Sequence, residues 1–169
     1  SLFLKLKIQK KNLHEFLSLA PQTPIADDNW QKWWDSREMY GKSDLGDSLY
    51  AYRDKTNNDI VDWWVNNEHA IGFSEYDEAI KIWHLGFIIF SENYDEMLPF
   101  FAFIKHLAKY VDDSLENFVL VYDYFWDGDS VVAFMEFKDG KALFYTEISE
   151  KSEVDPEKLS YADYYLALK

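Results

Sequence analysis

The sequence predicts an α+β fold, a single domain with a mainly antiparallel sheet and helices packed on one face. Three observations carry that expectation. Strand-like and helix-like periodicities follow one another as β-α, an irregular aromatic helical insert over residues 26–79, and then β-α-β-β-β. The late strands are joined through Asp127-Gly128 and Asp139-Gly140, and Asp-Gly turns favour hairpins and hence antiparallel neighbours. With 169 residues, 48% hydrophobic side chains and only 6 Gly and 4 Pro, the chain can fill one sizeable core and is not linker-rich.

The elements follow in order. Leu2–Ile8 sets Leu4, Leu6 and Ile8 on one face and Lys5 and Lys7 on the other, the pattern of a half-buried strand. Asn12 is placed to cap a short helix to about Leu19, which Pro21 and Pro24 end. In the insert, Asp28 or Asn29 heads a helix whose Trp30, Trp33 and Trp34 share a face by their i, i+3, i+4 spacing. Gly41–Asp47 is loop by composition and Ser48–Arg53 a short strand. Asp59 then caps a short helix carrying Ile60, Val61, Trp63 and Trp64.

Ile80–Phe90 is apolar almost throughout and reads as a central strand covered on both faces. Asp95 caps a helix in which Met97, Phe101, Ile104, Ala108 and Val111 keep helical spacing; Pro99 is tolerated because it falls near the first turn. Phe118–Trp126, Val131–Phe137 and Ala142–Ile148 are the last strands, and the charged segment Ser149–Lys169 holds a short helix around Tyr161–Leu168. The double tryptophans Trp33-Trp34 and Trp63-Trp64 have unlike flanks, so no repeat is assigned.

Charge sets the functional bounds. There are 17 Lys+Arg against 31 Asp+Glu, a net charge of −14, together with 13 Phe, 12 Tyr and 7 Trp. Acidic chains poor in aromatics stay disordered; this one folds and has aromatics to spare for a contact surface. Lys5, Lys7, Lys10 and Lys11 make the start basic, so the remainder is more acidic than the whole. A chain of that charge repels phosphate backbones, which argues against direct nucleic-acid binding. Without cysteine there is no disulfide framework, no thiol nucleophile and no Cys-ligated zinc, in keeping with a cytoplasmic protein. Lys5 and Lys7 break Leu2–Ile8 in a way the apolar core of a signal peptide would not. The apolar run Leu85–Phe90 is far short of the ~20 residues of a membrane helix, so no membrane partner is expected.

Motifs for catalysis or metal binding are absent: there is no G-x-S-x-G, P-loop, dinucleotide fingerprint or H-E-x-x-H. His84 in the central strand and His106 on the long helix could meet in space, and Asp123 interrupts an apolar strand where burial would raise its pKa towards general-acid use. A small hydrolase or transferase built on these groups is one alternative reading. Asp127-Gly128-Asp129-Ser130 lacks the continuing ligands of a calcium loop, because Val131–Phe137 is apolar. No cofactor or metal is expected. Tyr122, Tyr124 and Trp126 share a strand face by two-residue alternation and offer either a stacking platform for sugars or peptides or simple core packing.

The insert is the richest segment. It holds thirteen carboxylates against five cationic side chains, and five of the seven tryptophans. Carboxylates speed encounter with a basic partner, and aromatic anchors supply the contact energy. The expected partner-binding residues are Asp27, Asp28, Trp30, Asp35, Glu38, Asp44, Asp47, Asp59 and Asp62 in the insert, with Tyr122, Tyr124, Trp126, Asp127 and Asp129. In size, acidity and aromatic content over its whole length, the chain resembles the immunity proteins of bacterial polymorphic-toxin and contact-dependent growth-inhibition systems. That resemblance implies an inhibitor which neutralises a cognate toxin in the cytoplasm, a basic nuclease-like domain whose positive substrate channel accepts carboxylates in place of phosphates. It transfers no site residue.

Overall fold

The alternation at the start of the chain becomes β1 (Leu2–Lys7), an interior strand of a six-stranded antiparallel sheet in the computed structural model, which describes residues 1–38, 41–53 and 55–169. Asp54, one of the insert's carboxylates, lies outside the described residues. The other strands are β2 (Gly72–Asp77), β3 (Ile82–Phe87), β4 (Phe118–Tyr122), β5 (Val131–Lys138) and β6 (Lys141–Phe144), ordered β2-β3-β1-β4-β5-β6. Leu4 pairs with Leu85 on one side and Val119 on the other, so β1 is held by hydrogen bonds along both edges. At the β5–β6 hairpin Asp139 and Gly140 both take positive φ, 51° and 69°, the turn that Asp-Gly favours. This is the α+β architecture that the sequence predicts.

The helices are α1 (Lys10–Ser18), α2 (Asp28–Ser36), α3 (Leu45–Ser48), α4 (Asn57–Asn66), α5 (Tyr94–Leu107) and α6 (Pro156–Ala167). Leu2, Leu4, Leu6, Leu85, Phe87, Val119 and Val121 turn one face of the sheet towards α1, α2, α4 and α5. At the centre of that layer α5 is apolar almost all round, and it is wrapped accordingly. Phe16 of α1, Trp33 of α2 and Trp64 of α4 each make ring contacts with it, at 5.1 Å to Phe103, 5.3 Å to Phe101 and 6.2 Å to Phe100. Pro99 in its second turn has no N–H for the Asp95 carbonyl, which instead accepts the Tyr50 hydroxyl at 3.0 Å.

Several boundaries differ from expectation, each for a physical reason. The helices start upstream of the residues expected to cap them, Asn12, Asp28 or Asn29, Asp59 and Asp95. Asp27 caps α2, Thr56 caps α4 in a capping box with Asp59, Asn93 caps α5, and α1 begins after Gln9 without a side-chain cap. Asp28, Asp59 and Asp95 sit inside the first turns, where a negative charge meets the positive helix end. Residues 48–53 form no strand. The run Ile80–Phe90 is shortened to β3, because Lys81 at φ 57° turns the chain back into the charged edge strand β2. The pairing of β4 with β5 slips between Val121 and Tyr122, which ends β4 four residues early and releases 123–130 as a loop.

The second face of the sheet is not open. Phe3, Phe118, Leu120 and Phe134 are covered by α6 through Ala162 and Leu166, so helices occupy both faces rather than one. Lys5, expected on a solvated face, is only 9% exposed and its ammonium lies 4.1 Å from the Tyr161 ring centroid. Among the described residues, no helix is long and apolar enough to cross a membrane.

Candidate functional site

The insert's aromatic face turns inward. Trp33 stacks on Phe144 at 4.4 Å and 15°, and Trp64 packs on Phe87 at 5.1 Å. Trp30, Trp33, Trp34 and Trp64 are all buried, and only Trp63 remains exposed. Trp30, a predicted anchor for a partner, is 1% exposed and lies in the core.

The insert's carboxylates stay at the surface but do not form one face. Asp27 accepts the Trp30 N–H at 2.7 Å and pairs with Lys105 at 3.0 Å; these contacts outweigh its burial and hold its carboxyl below the ordinary value. It is a structural residue. Asp28 and Asp35 are exposed on α2, which packs on β6 at one edge of the sheet. Asp59 and Asp62 lie on α4, against β2 at the opposite edge, and are engaged locally by the Thr56 amide and the Asn58 side chain. Five strand spacings, roughly 24 Å, separate those edges. Asp44 and Asp47 flank and enter α3 and are exposed.

Two predicted segments do converge, at the end of the sheet formed by the close of β3 and β4 and the start of β1 and β5. There a cleft of about 570 Å³ opens between the C-terminus of α2 and the 123–130 loop. Arg37 and Glu38 line it from the residues just after α2, Glu92 from just before α5 and Tyr94 from its first residue, and Asp123, Phe125 and Trp126 from the loop. Arg37 is 7% exposed and donates to the Ile148 carbonyl at 2.8 Å, while its Nε has no hydrogen-bond partner among the described residues. Burial pushes its guanidinium pKa down, opposed by Tyr94 and Glu153. Burial also raises the Tyr94 phenol, against the pull of Arg37.

The loop is shaped around Asp123. A Cβ at Gly128 would sit 2.6 Å from Asp123 Oδ2, so a larger residue there would displace the carboxylate. Asp127 takes φ 54°, a conformation Asp tolerates better than most residues, and the chain turns so that Trp126 points outward. Trp126 is 69% exposed and Phe125 44%, with the two rings edge-on at 4.8 Å and 83°. Asp127 and Asp129 are exposed beside them.

The predicted platform of Tyr122, Tyr124 and Trp126 does not form, because β4 stops at Tyr122. Tyr122 is 1% exposed and donates to Asp163 Oδ1 at 2.7 Å; burial and that bond raise its pKa. Tyr124 is half-buried against it at 6.1 Å.

The histidines do not meet. His84 lies on the α6 face, stacked on Tyr165 at 4.2 Å and bonded to the Tyr161 hydroxyl at 2.9 Å; burial and then Lys5 lower its pKa to about 4. His106 lies on the other face beside Phe16 and Tyr110. Neither lines the cleft that holds Asp123. Among the described residues, no group of three or more His, Cys, Asp or Glu side chains is placed to hold a metal ion.

Arg37, Glu92, Tyr94 and Phe125 escaped the sequence reading. Phe125 was legible only once the strand was seen to end before it, and the others depend on which helix ends share one end of the sheet. The chain matches no protein-family model, no curated protein and no solved structure.

Proposed function

We propose that this protein is an acidic binding protein that inhibits a basic protein partner, in the manner of the immunity proteins it resembles, with the cleft and its 123–130 rim as the contact. The observation that carries this reading is the exposed Phe125–Trp126 pair set among Glu38, Glu92, Asp123, Asp127 and Asp129. Large aromatics held out of the core at a cleft mouth are typical anchors of a protein contact, and the carboxylates around them favour lysine and arginine on the other side. A nuclease-like toxin presents such a surface, because its substrate channel must attract phosphate.

The test is capture from the native host at low salt with wild-type and Trp126→Ala baits. One basic protein should be retained by the wild type at equal stoichiometry and inhibited by it, and should be lost from a Trp126→Ala bait of unchanged melting temperature. Retention by both baits would remove the cleft from the contact. Recovery of a partner whose activity is unaffected would remove the inhibitor role.

A further inference from the structure

At the end of the sheet opposite the cleft, where β1 closes and β3 begins, a groove of about 640 Å³ lies between the β2–β3 turn and α6. Lys5 and Lys7 of β1, Ile80 and Lys81 of the turn, Glu116 before β4 and Tyr161 of α6 are among its lining residues. Lys5 and Lys7 stand two residues apart on one strand, so their side chains leave the same face of the sheet about 7 Å apart. Lys81 is drawn against them, because its carbonyl accepts the Ile8 N–H at 2.9 Å and the next residue, Ile82, pairs with Lys7. Three lysines and one glutamate therefore share one groove on a chain of net charge −14.

Lys5 is the residue that needs a reason. It is 9% exposed, so its charge has left most of its water, and an ammonium carries three N–H donors. None of the three finds a hydrogen-bond acceptor among the described residues. The nearest Glu116 oxygen stands 4.0 Å away, beyond hydrogen-bond reach, on a side chain 62% exposed, and the Tyr161 ring at 4.1 Å offers only its aromatic face. The ammonium is not sealed, however, because the side chain keeps 11% of its surface in solvent and Nζ is not one of the occluded polar atoms. Burial holds its pKa below the ordinary value, with Glu116 opposing that shift and Lys158 adding to it. The other acids nearby are engaged elsewhere. Asp77 accepts the Ala79 and Ile80 N–H groups at 2.8 and 3.3 Å, Glu78 pairs with Lys10, and Asp112 accepts from the Gln9 amide at 3.0 Å. Lys7 and Lys81 are exposed, and no ion pair among the described residues holds them.

We propose that this groove binds a small organic anion, a carboxylate or phosphate head joined to an apolar body. The head accepts from the Lys5 ammonium and is flanked by Lys7 and Lys81, while the body lies along Ile80 and the Tyr161 ring. An anion there supplies the acceptors that Glu116 is too far away to give, and it offsets the mutual repulsion of three like charges. Glu116 is then a competitor for the same ammonium, which fixes the sign of its effect. The site is independent of the cleft.

The test is backbone-amide NMR of the whole chain, following Lys5, Lys7 and Lys81 during titration with benzoate, phenyl phosphate, acetate and inorganic phosphate, against sodium chloride at equal ionic strength. Saturable shifts are expected, with each aromatic probe bound more tightly than its small counterpart; the better of the two aromatic probes identifies the head as carboxylate or phosphate. Lys7→Gln and Lys81→Gln, at exposed positions that leave the core untouched, should each weaken binding about twofold to fivefold, the range of an exposed ion pair. Lys5→Met should weaken it about tenfold or more, as for a lost charge-assisted hydrogen bond, and Glu116→Gln should strengthen it. Shifts that chloride reproduces, no saturation, or undiminished binding in both Lys7→Gln and Lys81→Gln overturn the proposal. So does weaker binding in Glu116→Gln, which would make that carboxylate part of the site, and so does equal affinity for the aromatic and the small probes.

Discussion

Asp27 shows how a residue that looks like surface charge can belong to the scaffold. Its carboxylate caps α2 and pairs with Lys105, which also reaches β6. Asp27→Ala should lower stability by about 1–2 kcal/mol in urea unfolding, the usual cost of a lost cap, whereas Asp28→Ala on the same helix should stay within about 0.5 kcal/mol. Equal effects would mean that the cap contributes nothing. His84 carries the clearest pH dependence. Its folded pKa of about 4 lies below the ordinary 6.5, so the unfolded chain binds the proton first as pH falls. The stability that the neutral ring contributes is complete above about pH 6.5 and is lost progressively down to about pH 4. Lys5 and Lys169 favour the neutral ring, and Glu75 and Asp77 oppose them. His84→Gln should flatten the melting-temperature profile across that window relative to wild type; an unchanged profile would place the proton elsewhere.

At the scale of the element, α6 decides the fate of the second sheet face. It buries Leu166 and Ala162 over Phe3, Phe118 and Phe134. Leu166→Ala, at a residue 1% exposed, should cost about 2–5 kcal/mol by chemical denaturation, the range for buried leucines. A cost under ~1 kcal/mol would mean that α6 is only loosely docked. The sequence made most elements legible where periodicity is strong, as in β1, β5 and α5, and where turn chemistry is specific, as at Asp139-Gly140. It concealed β2, because Gly72–Asp77 is an edge strand whose exposed Ser74, Glu75 and Asp77 blunt the apolar alternation. It concealed the cover over Phe3 and Lys5 because α6 is rich in tyrosine and carries only a weak apolar stripe. The candidate site was half legible for a related reason. Residue type marks Glu38, Trp126 and the Asp127–Asp129 turn as contact material, but the facing Arg37, Glu92 and Tyr94 come from other elements that only the sheet end brings together.

For the molecule as a whole, the proposed binding function separates into a charge contribution and a contact contribution that can be measured apart. On that proposal, with a net charge of −14 and both sheet faces covered, the exposed carboxylates would steer a basic partner and the Phe125–Trp126 pair would be desolvated against it. Steering acts before contact and is screened over about 8 Å at physiological ionic strength. Desolvation acts after contact and is insensitive to salt. The association rate should therefore fall by about tenfold or more between low and high salt, and Asp127→Lys with Asp129→Lys should lower it further at a nearly constant dissociation rate. Trp126→Ala should leave association nearly unchanged and speed dissociation by about thirtyfold or more, as for an anchor worth 2 kcal/mol or above. Surface plasmon resonance at several salt concentrations reads both rates on the captured partner. If the charge variants changed only dissociation, and the tryptophan variant only association, the loop would be a steering element and its carboxylates the anchors, and the assignment of roles within the cleft would have to be exchanged.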